Sequence, residues 1–543
     1  MPSSADLVLK GGRVFAGGGS RPAAVAVTGG RVQAVTADIE GHIGRNTQVV
    51  DLEGGLLMPG FQDAHNHAAF AGVQLLRCDL SGEADAAGYL RKVAAYAAAH
   101  REAAWIQGGG WSMDAFPGGV PTRQMLDEIV PDRPVMLTNR DGHGAWVNTE
   151  ALRRAGIDRD TSDPGDGRIE REPDGTPGGV LQEGAMGLIS VPAATREEGR
   201  LGLLAAQRYL FSLGVTAWQD ANIGTYPGNS DNFDTYQAAA ESGELRARVV
   251  GALWWDRERG LEQIPELLER RHAAHGERFR ATTVKIMLDG IAENFTASLL
   301  EPYLDACGCP TANEGLSFIE PRLLEEAVTR LDAEGFQIHF HALGDRAVRQ
   351  ALDGLAAARD VNGPGDNRHH LAHLQLVHPD DLGRFAEVGA AANIQALWAA
   401  HEPQMDELTI PFLGPDRSRL QYPFGDLLRA GARLVAGSDW SVSSPDPLAA
   451  IHVAVNRAQY GRDQKPFYPE QSLTLAQAMT AYTEGSAWIN HLDAVTGTVE
   501  VGKYADLAVL DRDPFAGPPE EIGAAHVRRT YVEGRLVHSE DPQ

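Results

Sequence analysis

The sequence predicts an α/β protein: a closed (β/α)8 barrel, a small β-sandwich made from both chain ends, and a large insertion after the first barrel strand. Three observations carry that expectation. Eight apolar, strand-like runs alternate with helical stretches through the middle of the chain, the pattern of a parallel sheet built from βα units. Both ends instead alternate short apolar runs with glycine-bearing turns, which are hairpin signals. About 145 residues separate the first two middle runs, far more than a crossover needs, so a substructure lies between them.

Taken in order, the N-terminal hairpins lie in Leu7–Phe15 and Ala24–Val35, followed by an extended run at Gln48–Leu52. The C-terminal counterparts are Gly497–Lys503, Ala505–Asp511 and Arg529–Val537. Neither end is long enough for a core of its own, so residues 1–56 and 490–543 are expected to pair into one composite β-sandwich. The barrel is expected over 57–489, with strands at Leu56–His67, Gly214–Ala221, Arg248–Trp255, Thr283–Gly290, Phe336–His341, His370–Gln375, Ala391–Leu397 and Leu434–Asp439. Helices are expected between them at Pro321–Glu334, Asp345–Ala358 and Pro379–Val388. The insertion occupies 78–205 and is placed to roof the site. Within it Asp160–Pro177, rich in Gly, Asp and Pro, reads as an exposed loop.

Composition narrows the function classes. With 43% hydrophobic and 22% charged residues in 543, the chain has ample sequence for a core. Forty-eight basic against 74 acidic side chains give a net charge of −26, which repels nucleic acid and anionic membranes, so a small-molecule substrate is the expected partner. Three cysteines, Cys78, Cys307 and Cys309, are too few for a disulfide framework or a structural zinc site. The start has no basic region leading into an apolar run, and no stretch of 18 apolar residues occurs; a cytoplasmic protein is expected.

The chemistry concentrates at the ends of the middle runs. The first ends in His65-Asn-His67, and alternation along a strand puts both imidazoles on one face, where they can share an ion. The fifth ends in His339-Phe-His341, the sixth contains His369-His370-Leu-Ala-His373, and the eighth ends at Asp439. Barrel enzymes place their active sites at these C-terminal strand ends, so a metal site is expected there. The fourth run, Thr283-Val-Lys285-Ile-Met-Leu-Asp289, holds one of only five lysines. Burial beside cations favours the neutral amine, the form that adds carbon dioxide to give a carbamate able to bridge two metals. Such a pair suits hydrolysis by a metal-bridging hydroxide. The competing use of Lys285 is an ion pair with a nearby carboxylate.

His65-Asn-His67, Lys285, His341, His373 and Asp439, in this order, resemble the amidohydrolase superfamily. Leu57-Met-Pro-Gly-Phe-Gln-Asp-Ala-His65 and the ending Gly497–Asp511 resemble it too. Asp141-Gly-His-Gly-Ala-Trp-Val-Asn148, Asp289-Gly290, His341–Val348 and Ser444-Pro-Asp-Pro-Leu448 look like its YtcJ-like branch, which includes N-substituted formamide deformylases. The resemblance implies a metal-dependent hydrolase of C–N bonds in amides, N-formyl compounds or cyclic amides. It implies two divalent ions, zinc by ligand type: His65, His67 and Asp439 hold one, His341 and His373 the other, and carboxylated Lys285 bridges them. Asp439 acts as general base and then general acid. Iron, manganese or nickel would accept the same ligand types. Such folds commonly form homodimers.

Rival readings change the reaction or remove it. A mononuclear heterocycle deaminase of the same superfamily typically carries glutamate three residues after the fifth-strand histidine, where this chain has Gly344. A regulatory or scaffold relative usually loses ligands, and here none is lost. His339 shares a face with His341 and is an alternative ligand. Candidate substrate contacts are His143, to polarise a carbonyl, Trp111 in an apolar wall, Glu183, to meet an amine or cap a helix, and Asp289. After the seventh strand many relatives have a Gln-Pro-x-His pattern, whereas here Gln395 is followed by Ala-Leu-Trp398, with His401 later.

Overall fold

The computed structural model describes residues 4–226 and 230–540. Eight strands form one parallel sheet: β1 (Phe61–Asn66), β2 (Val215–Ile223), β3 (Arg248–Trp254), β4 (Phe279–Met287), β5 (Gln337–Ala342), β6 (His370–His373), β7 (Ala391–Ile394) and β8 (Arg433–Ala436). Each pairs in parallel with the next. The chain just beyond β8 then meets β1, with Asp439 N–H donating to His65 O and His67 N–H to Trp440 O, both at 2.7 Å, so the barrel is nearly closed. Helices at Pro321–Ala333 and Asp345–Asn362 follow the expected periodicity and bury apolar stripes against the barrel wall. The expected helix at Pro379–Val388 is instead a 3-10 turn, Pro379–Asp381, and a short helix, Arg384–Val388.

The run expected as one strand over Leu56–His67 is two. Leu56–Pro59 leaves the barrel, pairing in parallel with Arg13–Phe15 and antiparallel with Leu507–Leu510. The break falls at Gly60, where a Cβ would lie 2.4 Å from the Thr216 side chain, so only glycine lets the chain pass. The N-terminal end builds a four-stranded sheet by itself, segments from both ends share a six-stranded one, and the two have a common apolar core that includes Leu9, Val25, Leu57 and Val509. Gly497–Lys503 forms no strand. An ion triad ties the six-stranded sheet to the barrel: buried Arg248, at the start of β3, reaches buried Asp506 at 3.1 Å and partly exposed Glu533 at 2.6 Å.

Between β1 and β2 the chain builds its own six-stranded sheet from Cys78–Asp79, Ile106–Trp111, Val135–Asn139, Gly144–Val147, Gly167–Arg171 and Pro177–Glu183. The segment expected as a loop at Asp160–Pro177 therefore contains a strand: Gly167–Arg171 pairs antiparallel with Pro177–Glu183. Trp111, Trp146 and Phe116 pack edge-to-face in this layer's core. No helix among the described residues is long and apolar enough to cross a membrane.

Candidate metal centre

All six expected metal ligands line one cavity of about 440 Å³ at the C-terminal end of the barrel strands. β1 delivers His65, with His67 just past its end, β4 delivers Lys285, β5 His341 and β6 His373; Asp439 lies three residues beyond β8. Two of these residues have left-handed backbones, His373 at φ 77° and Asp439 at φ 57°. Such conformations cost about 1–3 kcal/mol and persist where the surroundings over-determine them. Here the determinants are visible. The buried Asp63 carboxylate accepts from His65 N–H and Ser438 N–H, both at 3.0 Å, and from Ser438 Oγ at 2.5 Å, clasping β1 to the turn that carries Asp439. Gln395, whose following residues Ala396-Leu-Trp398 depart from the family pattern, accepts His373 N–H at 2.6 Å and so fixes the turn after β6.

Within the site, Asp439 Oδ1 lies 3.1 Å from His65 Nε2 and 3.2 Å from His67 Nε2, and its Oδ2 lies 3.7 Å from His373 Nδ1. Among the described residues, His65, His373 and Asp439 form the one group of three whose donor atoms all lie within 4.8 Å of one another. That grouping crosses the two ligand sets expected from sequence. His341 sits beside it, its ring centroid 4.4 Å from that of His373 and its Nε2 3.4 Å from Gly290 O.

Burial pushes His65, His341 and His373 well below the ordinary imidazole range, keeping them neutral and able to donate lone pairs. Burial also pulls Lys285 down to about 7, against the opposing pull of Asp439. Burial alone would raise Asp439, but the His67 hydrogen bond and the electrostatic pull of His373, His67 and Lys285 outweigh it and hold the carboxylate below its usual range. Three buried atoms here, His65 Nε2, His373 Nε2 and Lys285 Nζ, have no hydrogen-bond partner. Leaving such atoms unmatched is costly, and neutral imidazole and carboxylate donors converging at these distances fit a divalent cation of the zinc type.

The remaining candidates separate. His143 lines the cavity, and its Nδ1 pairs at 2.8 Å with Glu183 Oε2. Burial opposes a charge on His143, but Glu183 overrides it and raises the imidazole; reciprocally His143 holds Glu183 low. Glu183 therefore stands behind His143, also accepting Thr296 Oγ1–H at 2.7 Å, and does not line the cavity. Asp289 faces backbone, its carboxylate taking N–H from Leu343, Gly344 and Ser298 at 3.1, 2.8 and 2.9 Å. Trp111 belongs to the insertion's core, with its indole N–H donating to Leu137 O. His369 pairs with Asp332 at 3.0 Å, away from the cavity.

Sequence reasoning missed Asp220, Asn222 and Trp254, which line the cavity from the ends of β2 and β3. The rule that located the histidines, C-terminal strand ends, applies equally to them. It missed Phe70, Met186 and Tyr226 as well; they lie outside the barrel strands and carry no such signal.

The model of the amidohydrolase family matches residues 48–538. Protein LONG AFTER FAR-RED 3 of Arabidopsis thaliana is 31% identical over 551 residues, covering 98% of this chain and 92% of that protein. N-substituted formamide deformylase of Arthrobacter pascens is 26% identical over 533 residues, with 94% of each covered. An uncharacterized metal-dependent hydrolase from Pyrococcus furiosus is similar in structure, with a TM-score of 0.69 at 25% identity, covering 94% of this chain and 99% of that one.

Proposed function

The chain belongs to the amidohydrolase family, and from that premise we propose that it hydrolyses the C–N bond of an amide, N-formyl or cyclic amide substrate. His65, His67, His341, His373 and Asp439 would hold two zinc ions, with carboxylated Lys285 between them. The observation that carries this reading is that three buried side chains with a partnerless nitrogen, His65 (Nε2), His373 (Nε2) and Lys285 (Nζ), line one cavity with the Asp439 carboxylate. The similarity to N-substituted formamide deformylase supports the N-formyl class. When bound, the ions supply polarisation of a carbonyl and acidification of water.

The chain's own groups supply the rest. Neutral Lys285 Nζ adds to carbon dioxide: an N–C bond forms, the carbon–oxygen π electrons become carboxylate charge, and one N–H proton leaves to solvent. Asp439 takes a proton from the attacking water as its oxygen bonds to the carbonyl carbon, and gives it to the nitrogen as the C–N bond breaks, so acid and amine are the products. Glu183, held by His143 Nδ1, favours the protonated imidazole, in which His143 Nε2–H is a donor for the carbonyl oxygen. Phe70, Val73, Met186 and Trp254 give the cavity an apolar wall suited to an apolar N-substituent.

A panel of N-formyl amines, N-acyl amino acids and cyclic amides, assayed with zinc-loaded and chelator-stripped enzyme, tests the proposal. Turnover of one class, lost on stripping and restored by zinc, is expected. Equal turnover by stripped enzyme, or none across the panel from protein holding two equivalents of metal, defeats it. The compact trio His65, His373 and Asp439 is a one-ion donor set and favours a second reading, the mononuclear deaminase. One equivalent of metal with ammonia released from a heterocyclic amine would select that reading.

A further inference from the structure

The barrel interior beneath the centre is polar where such barrels are usually filled by branched apolar side chains. Gln219, Thr283, Gln337, His339, His370 and Asn393 are all buried there and hydrogen-bonded to one another. The direction of each bond can be derived, because both ends of the network are fixed by backbone groups.

From one end, Gln337 Nε2 lies 2.8 Å from Arg368 O and 2.6 Å from Ile489 O. Carbonyls only accept, so this atom donates and Gln337 Oε1 is the acceptor. It takes Thr283 Oγ1–H at 2.8 Å and Gln219 Nε2–H at 2.9 Å, which turns Gln219 Oε1 toward the imidazoles. From the other end, His373 N–H donates to Gln395 Oε1, so Gln395 Nε2 donates to Asn393 Oδ1 at 2.9 Å. Asn393 Nδ2 then donates to Ala64 O and to His370 Nδ1, both at 3.0 Å. His370 must carry its proton on Nε2, which it gives to Gln219 Oε1 at 3.1 Å. Both lines orient Gln219 in the same way.

His339 Nδ1 lies 2.6 Å from that oxygen and must therefore be the N–H. A neutral imidazole then has its lone pair on Nε2, which faces His65 Nδ1 at 2.8 Å. His65 must donate, since the opposite tautomer would set two lone pairs against each other. Its own lone pair is thereby placed on Nε2, the partnerless atom beside Asp439. His339, whose place on the site's strand face made it an alternative ligand, has both nitrogens committed.

We infer that Gln219 and His339 are positioning residues that lock His65 into the tautomer whose Nε2 lone pair faces the metal centre. The inference rests on the proposed metal-dependent function. Partners of this kind, which orient a ligating histidine through its other nitrogen, typically govern metal affinity by 10- to 100-fold.

Zinc affinity, measured by chelator competition on full-length protein, tests it together with the melting temperature of each stripped protein. His339→Leu removes the acceptor and should weaken zinc binding by about 10- to 100-fold. His339→Gln keeps one acceptor and one donor with the same polarity and should bind within about threefold of the parent. Parent-like affinity in His339→Leu overturns the inference. So does His339→Gln falling as far as His339→Leu while its stripped protein melts like the parent. If His339→Leu yields no folded protein, Gln219→Met removes the acceptor one step further out, and parent-like affinity there also overturns it. A parent protein that binds no zinc refutes the proposed function instead, so the two failures are distinguishable.

Discussion

Gly437, just past β8 and two residues before Asp439, lies against His65 of β1, and Gly437→Ala perturbs the metal centre without replacing a ligand. A Cβ at this position would lie 2.5 Å from His65 N and 2.7 Å from His65 Cβ. Neither is the end of a flexible side chain, so the strands themselves must separate. Reaching an ordinary 3.4 Å contact needs an opening of about 0.9 Å in a seam held by the Asp439 N–H to His65 O bond, now 2.7 Å, and the Asp63 clasp. Overpacking of this kind costs about 1–3 kcal/mol. At roughly 2.1 cal/mol/K of unfolding entropy per residue, that corresponds to a fall of about 1–3 °C in the apparent melting temperature. The larger effect falls on function, because a displacement of about 1 Å between His65 and Asp439 is of the size that costs about 100-fold in positioned chemistry. Differential scanning fluorimetry of stripped protein reads the first quantity, and zinc competition the second. A Gly437→Ala protein with parent-like melting and parent-like zinc affinity would refute the claim that this contact sets the spacing of the two ligands.

Lys285→Ala should remove about one equivalent of metal by elemental analysis and lower kcat/KM at least about 100-fold on whichever substrate is found; full activity would contradict a bridging role. Glu183→Gln should cost about 1.5–3 kcal/mol, the worth of a hydrogen bond to a charged group. The loss should depend on pH: the share from Glu183, whose pKa is lowered, is present above its usual 4.5 and fades as pH falls through the lowered value. The share from His143, whose pKa is raised, is present below 6.5 and fades as pH rises through the raised value. The melting difference between parent and variant should therefore be widest from pH 4.5 to 6.5 and shrink on both sides, and a constant difference would count against the ion pair. Asp506→Ala leaves buried Arg248 with only half-exposed Glu533 and should cost about 3–5 kcal/mol, read as an earlier melting transition at unchanged zinc affinity.

How much of the site was legible depended on where each residue stands. The ligand-type histidines and Asp439 were recoverable because each lies at or near the end of a strand-like run, and a parallel barrel gathers such ends at one rim; Lys285 was recoverable as one of five lysines, set in an apolar run. Asn222 and Trp254 obey the same rule without being usual metal ligands, and Asp220, a carboxylate of the ligand type, stands one residue before the expected end of its run at Ala221. The place of Glu183 was not legible for a different reason. Its position after an apolar strand says nothing about facing the His143 ring instead of the cavity, since the bond between them joins residues 40 apart. Asp289 likewise looked like a polar group at a strand end. Three backbone amides from the loops after β4 and β5 consume it, and that demand exists only once those loops are folded.

The sequence by itself determined the alternation of strands and helices, the family, the ligand-type residues and the presence of an inserted layer. Those properties are local: periodicity, spacing and residue type survive in the unfolded chain. Only the tertiary structure decided that Leu56–Pro59 leaves the barrel, that Asp160–Pro177 contains a strand, and that His65, His373 and Asp439 form the tightest group. It also decided which nitrogen of His65 is free. That choice follows from hydrogen bonds between residues as distant as 65 and 339 or 219 and 490, and a bond's polarity is fixed only when both of its partners have been brought together.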